Sequence, residues 1–108
     1  MANKLCAWIE TRNTMDGGTR NIIMWFNAYE IKDQLKAVGY KFDSMYKTWE
    51  KEAVNFVDDF VDIVVDNNLD AHIVIRVFED IQNKNIKITY TQETSDKLSA
   101  YMKAYFNI

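Results

Sequence analysis

Apolar and polar residues alternate along "LCAWIETR" (Leu5 to Arg12), with Leu5, Ala7 and Ile9 on one side and Cys6, Trp8 and Glu10 on the other. A period of two sends successive side chains to opposite faces of a strand. "NIIMWF" (Asn21 to Phe26) is a second β-branched and aromatic run. Between them, Asp16-Gly17-Gly18 supplies glycines that reach positive φ without a Cβ clash, so the two runs predict a hairpin. In "NAYEIKDQLKAVG" the period lengthens, and Ile31, Leu35 and Val38 share one helical face. Asn27 stands where a helix cap belongs, Glu30 follows three residues later as in a capping box, and Gly39 is placed to end the helix in the left-handed conformation. "YKF" and "KTWEKE" then alternate again around the polar "DSMYK", which predicts a second short hairpin.

From Ala53 to Asn68, Val57, Phe60, Val61 and Val64 fall at helical spacing, while Asp58, Asp62 and Asp66 line up at i, i+4 and i+8 on the other side. The β-branched content favours a strand, but the run is too long for one and its aspartates never alternate. "HIVIRVF" (His72 to Phe78) and "IKITYT" (Ile86 to Thr91) predict two strands joined by "EDIQNKN". Leu98, Tyr101, Met102, Tyr105 and Phe106 mark an amphipathic C-terminal helix. The expected architecture is a single α+β domain over residues 1–108. Its order is ββα-ββα-ββα, with antiparallel strand pairs and helices packed on one side.

Composition narrows the function more than the fold. At 108 residues the chain is long enough for one core. The single Cys6 and single His72 exclude a zinc site built from cysteine and histidine. The lone thiol suits a reducing cytosol, no run has the length of a membrane span, and the expected location is the cytoplasm. Residues 1–57 hold eight basic and seven acidic side chains, and residues 58–108 hold five and nine. An acidic C-terminal half disfavours a phosphate-binding face there, because nucleic acid normally meets a basic patch.

No catalytic set emerges. His72 has no serine or cysteine that the sequence places beside it, and Cys6 has no flanking cationic cluster to activate it. "DGG" lacks the spacing of a phosphate-cradling loop. Asp58, Asp59, Asp62 and Asp66 sit on a predicted helix rather than on alternate positions of a calcium loop, so no metal or cofactor is expected. The plain reading of this row is a solvated helix face. The sharper one is an anionic ridge that meets a basic groove on another protein, in the way of a nucleic-acid mimic.

"GYKFDSMYKTWEKE" packs Tyr40, Phe42, Tyr46 and Trp49 among charged residues. Together with the preceding helix, the pattern at Leu35, Gly39, Phe42, Asp43, Lys47 and Trp49 resembles a helix-Gly-hairpin unit of small phage and mobile-element proteins, some appended to primases and DNA-mobilisation proteins. The match spans Ile31 to Lys51, and Glu50 stands where that unit often has another aromatic. The resemblance implies that Gly39 ends the helix, that Phe42 and Trp49 pair across the hairpin and that Asp43 begins the turn. Its function would be non-enzymatic, as in anti-CRISPR proteins, which bind and inhibit a host defence nuclease or effector complex. The residues expected to touch that protein partner are Asp58, Asp59, Asp62 and Asp66, with Met45 and Tyr46 at the hairpin tip. The alternative is a nucleic-acid-binding accessory module of a replication or mobilisation protein. It would stack bases on Trp8, Trp25 or Tyr46 and hold phosphates with Arg12, Arg20, Lys41 and Lys47. A small hydrolase using acidic residues ranks last, because nothing fixes two carboxylates in different environments.

Overall fold

In the computed structural model, which describes residues 4–108, β1 (Cys6–Asn13) and β2 (Thr19–Phe26) form the expected hairpin. Gly17 takes φ +87° in its turn, where the Gly18 N–H donates to Thr14 Oγ1 at 3.0 Å and to Asp16 Oδ1 at 3.1 Å. Short β3 (Lys41–Asp43) and β4 (Thr48–Glu52) complete a four-stranded antiparallel sheet in the order β1-β2-β4-β3. The register puts Ala7 opposite Trp25, Trp25 opposite Trp49, and Trp49 opposite Phe42, so a row of three large aromatics crosses β2, β4 and β3 and ends on the small Ala7 of β1. Trp25 and Ile23 on the central strand are fully buried.

The segment from Asn27 to Gly39 ends as read but does not begin so. Asn27 lies at φ +59° and its Nδ2 donates to the Lys4 carbonyl at 3.0 Å, which leaves it no capping role. A 3-10 turn (Tyr29–Ile31) precedes α1 (Lys32–Ala37), and neither start has a side-chain cap, so the Asn27–Glu30 capping box does not form. The exit follows the glycine rule. Gly39, at φ +97°, donates to the Lys36 carbonyl while the Tyr40 N–H reaches back to the Leu35 carbonyl, the paired bonds of a Schellman motif. This helix covers the Trp49 side of the sheet. Lys51 Nζ donates to the Val38 carbonyl at 2.8 Å, and Lys36 Nζ stands 5.6 Å from the Trp49 ring centre.

The described residues divide into two compact units, one ending at Ala53 and the other beginning at Val54. The regular elements of the second unit are helices: α2 (Val57–Asp66), α3 (His72–Asn83) and α4 (Gln92–Phe106). Among the described residues, four antiparallel strands and four α-helices make the fold α+β, and the third ββα repeat is absent. Both strands expected there are corrected. His72 to Phe78 is the first half of α3, and Ile86 to Thr91 joins no sheet. In α3 the buried positions are Ile73, Val74, Val77 and Ile81. That spacing is helical, and it continues through "EDIQN", which the strand reading assigned to a loop. Tertiary packing has overridden β propensity, as it commonly does in a buried helix. Among the described residues, no helix is long and apolar enough to cross a membrane.

Candidate functional site: the hairpin tip and the sheet face

The β3–β4 turn is built by Asp43. Its Oδ1 accepts from the Met45 N–H at 2.9 Å and the Tyr46 N–H at 3.1 Å, the local bonding that lets aspartate mimic a backbone turn. Lys47 closes the turn at φ +59°. The consequence is a constrained loop that projects large side chains outward, with Met45 80% and Tyr46 60% exposed. Phe42 lies 5.1 Å from Trp49, ring centre to ring centre. Trp49 is buried and Phe42 is 47% exposed, so the cross-hairpin pair is half core and half surface.

Beside the tip, the face of the sheet opposite α1 forms a depression of about 630 Å³ lined by Trp8, Glu10, Arg12, Met24, Phe26 and Tyr46, with Asn13 and Thr48 at its edge. The guanidinium of Arg12 crosses it. Nη1 and Nη2 donate to Glu50 Oε1 and Oε2 at 2.8 and 3.1 Å, and the Arg12 Cζ lies 5.8 Å from the Tyr46 ring centre. This bidentate bond to Glu50 is the leading cause that raises the Arg12 pKa above its ordinary value. Glu50, largely buried, also accepts from the Thr48 hydroxyl at 2.6 Å. Its position in the sheet thus holds an acid that clamps an arginine, where the resembled unit often has an aromatic. Arg12→Ala strands that carboxylate and is expected to cost about 1–3 kcal/mol in urea unfolding. Glu50→Gln added to it should recover part of the loss.

The acidic row of α2 is engaged within its own unit. Asp58 and Asp59 stand in the first turn, where negative charge complements the helix N-terminus. Asp58 Oδ1 accepts from the Thr91 N–H at 3.1 Å, at the capping residue of α4. The Thr94 hydroxyl, then that N–H, hold the Asp58 carboxyl below its ordinary range. Lys97 of α4 sits between Asp62 and Asp66, its Nζ 3.0 Å from each. These bonds raise the Lys97 pKa, Asp62 first. The ridge is therefore also the seam between α2 and α4, and Lys97, which the sequence reading left out, partly neutralises it. The i, i+4 spacing was visible; the matching cation is 31 residues beyond Asp66.

A depressed carboxyl pKa stabilises the fold above its unfolded value and loses that contribution as pH falls through the folded one. For Asp58 the unfolded reference is 3.8, so the Asp58–Thr91 tie should persist above that pH and release below it. The protection factor of the Thr91 amide, measured by NMR from pH 6 to 2, should fall only in the acid limb. Asp58→Asn should flatten the step.

Of the stacking residues in the nucleic-acid alternative, Trp8 and Tyr46 line the depression, whereas Trp25 is fully buried and cannot meet a base. His72 Nδ1 lies 2.8 Å from Asp70 Oδ1, which also accepts from the Tyr105 hydroxyl at 3.0 Å and the His72 N–H at 2.9 Å. This cluster joins the start of α3 to the end of α4. Cys6 is half-buried at the edge strand. No protein-family model, curated protein or solved structure matches the chain.

Proposed function

We propose that the protein is a non-enzymatic binder of another protein, of the kind by which phage and mobile elements inhibit a host defence nuclease or effector complex. The observation that supports this reading is the exposure of Met45 and Tyr46 on a turn whose N–H groups bond to Asp43. Methionine and tyrosine bring large contact area at an interface, and a preordered loop loses little entropy on docking. The contact surface centres on this tip and extends into the depression through Phe26 and Trp8. Asp58, Asp59, Asp62 and Asp66 act at longer range, as a partly neutralised acidic field that steers a basic partner.

The nucleic-acid alternative draws on the same aromatic depression. It is less favoured because Arg12, the cation best placed to hold a phosphate there, is clamped by Glu50.

Purified protein added to a panel of CRISPR effector complexes should block target cleavage by one of them, and Met45→Ser with Tyr46→Ser should abolish the block. If the chain protects no complex yet binds single-stranded DNA tightly and in a salt-sensitive way, the accessory-module reading replaces this one.

A further inference from the structure

Between α3 and α4 the chain runs from Ile86 to Tyr90 in neither helix nor ladder. The composition of "IKITYT" is that of a strand. Its burial keeps a period of two at first, with Ile86 and Ile88 half-buried and Lys87 and Thr89 exposed. Both ends are tied down. The Ile86 N–H donates to the Ile81 carbonyl at 3.0 Å, the Thr91 N–H to Asp58 at 3.1 Å, and the Thr91 carbonyl accepts from Ser95 at 3.1 Å. Between these ties, and among the described residues, the main-chain N–H and C=O groups of Lys87 to Tyr90 make no hydrogen bond to other main-chain groups. A strand-forming segment anchored at both ends with its ladder groups open is a template for another strand.

A groove of about 480 Å³ lies beside it, lined by Val74, Phe78 and Ile81 of α3, Leu98 and Met102 of α4, and Ile88 of the segment itself. Every second side chain of an added strand points one way, so apolar residues at those positions can enter the groove. Charge selects the remainder. Residues 86–90 carry one charged side chain, the exposed Lys87, and Asp58 meets the chain beyond this open stretch, at Thr91. A second copy would set lysine against lysine, whereas an acidic strand would complement it.

The geometry points to a strand-addition site at Lys87–Tyr90 that takes an extended segment of another protein, alternating apolar with acidic side chains. It goes beyond the hairpin-tip reading and uses a separate surface, so either can fail alone.

The test uses a capped hexapeptide of alternating glutamate and valine, titrated into the full chain labelled with ¹⁵N. Shifts should be confined to residues 84–91 and the groove, with slowed exchange of the amides between Lys87 and Tyr90. The same peptide N-methylated on every second amide keeps its side chains but loses donors, and should bind at least about tenfold more weakly, as should an alternating lysine–valine peptide. Lys87→Glu should reverse the preference between the two charged peptides. The site is overturned if the methylated peptide binds equally, which would mean mere apolar adhesion, if the shifts fall elsewhere, or if millimolar peptide leaves the spectrum unchanged. Concentration-dependent self-association through these same amides would replace the partner strand with a second copy.

Discussion

Trp25→Ala is expected to destabilise the sheet unit by about 3–5 kcal/mol, the range for emptying a large aromatic from a core. Trp25 is fully buried on the central strand β2, with Ala7 opposite it on one side and Trp49 on the other. The small Ala7 cannot refill the space, and Trp49 is already packed against Phe42. All three tryptophans, Trp8, Trp25 and Trp49, lie before Ala53. Fluorescence of the remaining two therefore reports this unit alone, and its urea midpoint should fall sharply. A midpoint within experimental error of the parent would mean that the cross-sheet row is not the core described here.

The two hairpins were legible in the sequence, but the β2–β4 pairing that sets Trp25 against Trp49 was not, and Trp25 was open there to a base-stacking role. Alternation in "LCAWIETR" and "NIIMWF", the Asp16-Gly17-Gly18 turn and the helix-ending Gly39 each follow from local sterics, and local sterics act the same way wherever the chain goes next. The start of α1 was not legible, because Asn27 spends its side chain on the carbonyl of Lys4, a contact across the sheet unit. Nor was α3, whose valines and isoleucines satisfy strand and helix alike; only burial of Ile81 together with Val74 and Val77 decides between the two periods. At the candidate site, Met45 and Tyr46 were readable as the tip of a hairpin. The engagement of Asp62 and Asp66 by Lys97 was not, since it depends on how α2 meets α4.

The helical unit should respond to Phe60→Ala by a comparable amount, about 3–5 kcal/mol. Phe60 is fully buried on α2, 6.5 Å from the Phe56 ring in an edge-on arrangement, and lies on the same face as Val57, Val61 and Val64. Truncating it removes the largest side chain from that face. Far-UV circular dichroism at 222 nm reads chiefly α2, α3 and α4, and its thermal midpoint should drop. Asp62→Asn with Asp66→Asn, by contrast, should move it by less than about 1 kcal/mol, because both carboxylates are solvent-exposed partners of Lys97. A large loss in the exposed pair and a small one at Phe60 would reverse the account of what holds this unit together.

In the proposed function, recognition runs through the hairpin tip while the acidic ridge only steers. Association and dissociation rates of three proteins against the effector complex that the parent is proposed to inhibit, measured at low and moderate ionic strength, test this most directly. Met45→Ser with Tyr46→Ser should speed dissociation by about 30-fold or more, the effect of removing two central apolar contacts. Asp62→Asn with Asp66→Asn should leave dissociation unchanged and slow association, chiefly at low salt. Faster dissociation for the aspartate pair, with parent-like rates for the hairpin pair at both salt concentrations, would place the contact on the ridge and contradict the assignment.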